Sequence, residues 1–314
     1  MAITAPLPGG INTEAVRRRL HGRRFDASGL LLRLALLAAL SFTLLVLAVL
    51  LLDIVTGGWG VFTSRFESFM SGTLRFAAGE SGIAQALRGT LWIGVFVVAV
   101  AFPLGIAAAV YLEEYATDNR LTRLIDVNIR NLAGVPSIVY GILGFTIFVK
   151  SLSGLTGGRS VIAGGITLAI LALPLVIITA AEAVRAVPEE LRLGGYGLGA
   201  TRWEVTRTQV LPYAAPGILT GTVLSLARAL GEAAPLILVG AVVGRLGSNP
   251  GLFDLGSLDQ RFTALPIVIT YWAGLPQADF RALTAAAIVV ILVIVLIANA
   301  AAIILRNRFE SKRG

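Results

Sequence analysis

The stretch Ala285–Leu305 reads AAAIVVILVIVLIANAAAIIL, 21 residues without a charge and with Asn299 as its single strongly polar side chain. As a helix it rises about 30 Å, the thickness of a bilayer's hydrocarbon layer. Working outward, five further blocks share this character: Leu34–Leu52, Ala86–Leu112, Gly134–Val149, Val161–Val184 and Ala214–Val243. Their apolar residues are contiguous; they neither alternate nor recur every three to four positions. Lipid offers the backbone no hydrogen-bond partners, so each block satisfies itself as a helix, and the runs are too long for barrel strands. The sequence predicts an all-α membrane protein of about six transmembrane helices over residues 34–305. Basic tails flank it at 1–33 and 306–314.

Composition agrees. The 314 residues are 56% hydrophobic and 14% charged, where a soluble chain carries about a quarter charged. The absence of cysteine excludes disulfides, thiolate metal sites and cysteine nucleophiles. His21, the only histidine, sits in an arginine-rich tail and reads as solvated, which argues against histidine catalysis and multi-histidine metal sites.

The net charge of +8 has a membrane explanation, so nucleic acid is not required. Of 26 Lys and Arg, 17 fall in the two tails, the second-to-third connection and the fourth-to-fifth connection. Eight fall in the other three connections, counting Arg88 at the edge of the second span, and Arg228 lies within a span. Basic residues accumulate on the cytoplasmic side, so both termini are expected there. The first span is read as retained, since its tail is long and no small-x-small cleavage site follows. Pro103, Gly105, Pro136, Pro174, Gly231 and Pro235 fall within spans, where such residues kink helices or permit close crossings.

The cytoplasmic connection 185–213 contains AVPEELRLGGYGLGATRWEVTRTQVLP from Ala186 to Pro212. Pro188 followed by Glu189 and Glu190 predicts a helix start, with acids at the positive end of the dipole. Glycines at 194, 195, 197 and 199 are expected to let the backbone turn. Thr201-Arg-Trp-Glu204 then fits a capping box. Two short helices around a glycine bend are the result, with Trp203 either anchoring a protein partner or resting in headgroups.

Within the fifth span, LARALGEAAPLILVGA runs from Leu226 to Ala241. A charge near mid-span costs about 2.5–3.5 kcal/mol, so Arg228 needs an offset. Glu232, expected one helical turn later, offers an internal pair. Either the two are a structural pair or they line a transport path. Arginine's planar fork suits a tetrahedral oxyanion. A carboxylate accepts from the P–OH of phosphate and repels sulfate, which has no such donor. Ser137 and Asn299 are sparse polar groups of the spans, and interhelical glue is their ordinary use.

The connection resembles the cytoplasmic EAA loop of binding-protein-dependent ABC importer permeases, matching at Gly199 and at Leu211-Pro212. It departs at Leu193-Gly194-Gly195, where that family carries Glu-Ala-Ala, and at Gln209, where it carries isoleucine. The Arg228–Glu232 stretch is similar to that of the phosphate-specific transport (Pst) permeases, on the side of their A subunit. Tyr111-Leu-Glu-Glu-Tyr-Ala116, Ala133-Gly-Val-Pro-Ser-Ile-Val-Tyr-Gly141, Trp272-Ala-Gly-Leu-Pro-Gln277 and Arg306-Asn-Arg-Phe309 extend the likeness over about residues 84–310.

The resemblance implies a type I ABC importer permease bundle in a bacterial inner membrane, importing inorganic phosphate. Arg228, Glu232 and Ser137 would serve translocation. Glu189, Glu190, Gly199, Ala200, Trp203, Leu211 and Pro212 would serve ATPase coupling. The implied partners are a Pst C-type permease, a Pst B-type ATPase dimer hydrolysing ATP with Mg, and a Pst S-type phosphate-binding protein. Connections 53–85 and 244–284 would receive the last of these or be ordinary interfacial loops. The chain lacks the phosphate-binding loop Gly-x4-Gly-Lys-Ser/Thr; Gly144 to Ser151 misses it at Val149. No cofactor is expected in the chain itself. Competing readings are a permease for another oxyanion, a standalone ion-coupled transporter and, least favoured by its residues, a membrane-embedded enzyme.

Overall fold

The computed structural model describes residues 27–243, 251 and 254–310. The first 26 residues, with His21 and five of the tail's arginines, lie outside them, as do 244–250, 252–253 and 311–314. All regular structure among the described residues is helical. We number ten helices: α1 Ala27–Ser71, α2 Ala84–Tyr115, α3 Arg120–Ala133, α4 Ser137–Ser151, α5 Val161–Arg185, α6 Glu189–Gly197, α7 Arg202–Gly231, α8 Ala234–Val239, α9 Leu265–Ala273 and α10 Ala278–Glu310. Helices α1, α2, α5, α7 and α10 are long and apolar enough to cross a membrane, and the bent pair α3–α4 reaches that length and hydropathy when taken together.

Two compact units divide the chain, residues 1–53 and 54–314. In the first, residues 27–53 are the start of α1, and their leucines and Phe42 are exposed, a surface suited to lipid. The helix outruns the expected span 34–52 and reaches Ser71, so half of the expected 53–85 connection is helical. It is interrupted at Arg65, whose φ of −151° is non-helical. There the guanidinium leaves the helix to donate to the Ala78 carbonyl at 2.7 Å and to that of Ser81.

In the second unit α5 is the central helix, packed by α2, α3, α4, α7 and α8. Small residues make that possible: Gly165 receives the Phe96 ring and Gly221 of α7 meets Thr179. Helix α2 carries a widened π turn at Val97–Ala101, just before Pro103. Proline has no N–H and its ring crowds the carbonyl four residues earlier, which the wider turn relieves.

Two expected spans are corrected. The third, expected as 134–149, corresponds to α4, and a preceding helix, α3, meets it at a bend of 100°. Gly134 and the pair Val135-Pro136 separate the two, because a residue before proline is pushed out of helical conformation. Upstream, α3 sets Arg120, Arg123, Asp126 and Arg130 against Leu121, Leu124, Ile125 and Leu132, the pattern of a helix lying in the membrane interface. The fifth, expected to run unbroken from 214 to 243, ends its long helix at Gly231 and resumes as α8 after two residues.

Helix α9, in the 244–284 connection, was not anticipated. Its Leu265, Val268 and Trp272 are buried with Phe69, Ile83 and Leu283. The Leu265 N–H donates to the buried Thr90 hydroxyl at 2.8 Å, which occupies one of the free donors of its first turn.

Candidate functional site

Two groups of expected site residues come together in different places. The first is a recess where α3 bends into α4. Arg228 of α7 and Ser137 of α4 line it, with Tyr140, Leu171, Leu175 and Ser225. The bend is fixed by Tyr140, a buried residue that donates from its hydroxyl to the Leu132 carbonyl at 2.9 Å, at the end of α3. The glycine four residues into α4 lets α8 approach: a Cβ on Gly141 would lie 2.7 Å from the Pro235 Cα.

Arg228 is not in the middle of an unbroken helix, as the sequence suggested. It occupies the last turn of α7, where the negative end of the helix dipole favours a cation. Glu232 lies just beyond the helix end, with extended backbone (φ −78°, ψ 117°). Its carboxylate oxygen stands 3.8 Å from the Arg228 Nε, an ion pair too long for a hydrogen bond. The Arg228 side chain is 54% exposed and that of Glu232 21%. The guanidinium therefore keeps its donor fork open, beside the first turn of α4, where free N–H groups and the positive helix end face outward. The Ser137 hydroxyl makes no hydrogen bond to the described residues. Such a cationic, donor-rich corner at a break between half-helices suits an anion.

The second group is the segment 185–213. Helix α6 begins at Glu189 with Pro188 as its cap, and Glu189 and Glu190 are exposed in its first turn. Only one of the four glycines makes the turn: Gly199 has φ +82°, while Gly194, Gly195 and Gly197 are helical. Gly195 instead lets α7 approach, since a Cβ there would meet Val205 at 2.7 Å. The capping box holds as expected, with Thr201 and Glu204 satisfying each other's backbone donors. Ala200 is half-buried in the turn, Leu211 packs inward, and Pro212 is exposed in α7. Trp203 is 56% exposed and Leu198 91%, with Leu193 and Tyr196 also outward.

Four charged residues that sequence reasoning left unassigned hold this segment. Arg185 donates to Glu113 at 2.5 and 3.2 Å. Arg192 donates to the buried Glu114 at 2.8 and 3.1 Å, and to the carbonyls of Val184 and Val187 at 2.9 and 2.6 Å. The signal was present: both acids lie in the quoted Tyr111–Ala116 motif, and adjacent acids at a helix's C-terminal end are unfavourable without cations.

The family model for the binding-protein-dependent transport system inner membrane component matches residues 101–311. The chain belongs to this family. It spans about three fifths of several relatives: 35% identity over 57% of this chain and 59% of the probable ABC transporter permease YqgI of Bacillus subtilis (strain 168), and 38% over 61% of this chain and 62% of the phosphate transport system permease protein PstA 1 of Mycobacterium tuberculosis (strain CDC 1551 / Oshkosh). With the Mycobacterium leprae (strain TN) phosphate transport system permease protein PstA, identity is 36% over 72% of this chain and 71% of that one.

Among solved structures, a bacterial alginate ABC transporter in complex with an alginate pentasaccharide-bound periplasmic protein superposes with TM-score 0.61, 17% identity, 92% of this chain and 95% of the other. The inward-facing MetNI methionine ABC transporter gives 0.55, 18%, 73% and 94%. At these identities the likeness is one of fold: a multi-pass bundle of the ABC importer permease type. A member of this inner membrane family is a transport subunit. The Gly144–Ser151 near-miss is helical, within α4.

Proposed function

We propose that this family member is the permease subunit of an ATP-driven importer of inorganic phosphate. It forms half of the translocation pore in a bacterial inner membrane, with both termini cytoplasmic. A homologous C-type permease supplies the other half, a separate ATPase dimer hydrolyses ATP with Mg, and a phosphate-binding protein delivers the anion. The chain then contributes transport and no hydrolysis of its own. The observation that carries the reading is the Arg228 recess, with its open guanidinium, the Ser137 hydroxyl and the amino end of α4 around one corner. The names of the relatives similar to it support the choice of phosphate.

Glu232 sets the choice among oxyanions. Its carboxylate accepts from a P–OH, a bond to a charged acceptor worth about 1.5 kcal/mol or more, which is about tenfold. In Glu232→Gln the preference for phosphate over sulfate, measured as competition for phosphate uptake by the assembled transporter, is expected to fall about tenfold. An unchanged preference removes Glu232 from selection.

The exposed face of Leu193, Tyr196, Leu198 and Trp203 supports the docking of an ATPase groove at segment 185–213, with Glu189, Glu190, Gly199, Ala200, Leu211 and Pro212 shaping it. An aromatic seated in such a groove contributes about 2 kcal/mol or more. Trp203→Ala is expected to weaken capture of the ATPase about thirtyfold in a titration of detergent-solubilised subunits; unaltered affinity points instead to a headgroup role.

A further inference from the structure

The last turn of α2 is a five-residue π turn, Tyr111–Tyr115, and three successive residues in it each hold an arginine from a different element. Glu113 takes Arg185, at the end of α5. Glu114 takes Arg192, from the middle of α6. The Tyr115 ring lies 5.4 Å beneath the Arg202 guanidinium, from the first turn of α7. Of these, Arg192 is the most enclosed. Its side chain is 19% exposed against 4% for Glu114, and Nε and both Nη atoms donate. Of its carbonyl acceptors, Val184 lies in the last turn of α5, at the negative end of the dipole, and Val187 two residues beyond that helix, in the link to α6. One guanidinium thus ties α6 to α2 and α5 together.

We propose that Arg192 is a positioning residue that makes α6 and the ends of α2 and α5 one rigid body, so that displacement of the docking segment is passed to the pore. This deepens the proposed function and rests on it. The route is short. Leu175, which lines the Arg228 recess, is nine residues up α5 from Val184, on the near side of Pro174, a rise of about 13 Å. On the other side of α6, Gly199 turns the chain at φ +82°. A segment held only by exposed ion pairs would slip under load, because such pairs are worth little. An enclosed pair with four of its five N–H donors occupied does not, because parting it strands a buried carboxylate.

The test uses the assembled transporter with Glu114→Gln and, separately, Glu114→Cys with Arg192→Cys. The chain has no cysteine of its own, so the pair is unique within it. In Glu114→Gln the subunits are expected to co-purify and to hydrolyse ATP, while phosphate moved per ATP falls at least tenfold. Bridging the cysteine pair with a short bifunctional thiol reagent is expected to restore that ratio, which a merely structural role does not predict. Amide exchange over Leu191–Gly195 and over the last turn of α2, read without any transport, is expected to rise together in Glu114→Gln. An unchanged phosphate-to-ATP ratio, an unchanged exchange pattern, or a bridged pair that stops transport each overturns the proposal. The unmodified transporter tests the other reading: ATP hydrolysis without phosphate entry there sinks the proposed function and leaves the exchange result to judge the link.

Discussion

Arg228→Gln is expected to abolish phosphate uptake by the assembled transporter, by about a hundredfold or more, while the subunits still associate. The guanidinium faces a recess and is more than half exposed, so its removal leaves no cavity in a packed core. Its ion pair with Glu232 is 3.8 Å long and contributes little to folding. What the substitution removes is a donor fork. Two charge-assisted hydrogen bonds to an oxyanion contribute about 1.5–3 kcal/mol each, and together they convert to about a hundredfold or more in binding. The variant also leaves Glu232 without a counter-charge beside the path, which repels an arriving anion. Phosphate uptake and basal ATP hydrolysis, measured on the same preparation, separate this from misassembly. Uptake within a few-fold of wild type takes Arg228 out of the path.

Gly141→Val is expected to be the most disruptive neutral substitution near the site. A Cβ at this position lies 2.7 Å from the Pro235 Cα and 2.9 Å from a Leu238 methyl. The first of these is backbone and cannot rotate away, so α4 and α8 must separate. Overpacking of this kind costs about 1–3 kcal/mol and sometimes more. The separation acts directly on the recess, because α4 carries Ser137 and α8 follows the Glu232 break. Thermal unfolding in detergent is expected to shift down by several degrees, with phosphate uptake lost even at temperatures where the variant is folded. A variant of wild-type stability and uptake would show that the α4–α8 contact is not held in the working transporter.

Much of the fold was legible because a membrane leaves so few choices. Uncharged blocks of about 20 residues must be helices, and those at 86–112, 161–184 and 285–305 lie inside α2, α5 and α10. The capping box at Thr201 was equally readable, since it depends on two residues at fixed spacing. Breaks were harder to see. Pro136 and the stretch Gly231–Pro235 were visible as kink-prone residues, yet the 100° bend falls at the edge of the apolar block, where α3 turns polar, and hydropathy runs on past the helix end at Gly231. The position of Glu232 suffered accordingly: a spacing of four places it on the Arg228 face only while the helix continues. Helix α9 was missed because nine residues cannot span a bilayer, although Pro266 in its first turn is a helix-start signal.

The site divides in the same way. Arg228 and Trp203 stood out by their chemistry, and Ser137 only through the family resemblance; the structure brings Arg228 and Ser137 to one recess while leaving Trp203 on the surface. The Glu113–Arg185 and Glu114–Arg192 pairs join residues more than 70 positions apart. No local pattern announces which cation meets which acid, so these had to wait for the three-dimensional arrangement.

A separate ATPase driving phosphate through the proposed permease can be observed by reconstituting the four-component transporter in liposomes and following labelled phosphate. Accumulation should require ATP on the side of segment 185–213 and should persist when ion gradients are collapsed. Accumulation by the permease alone, driven by a proton or sodium gradient with no ATPase present, would contradict it.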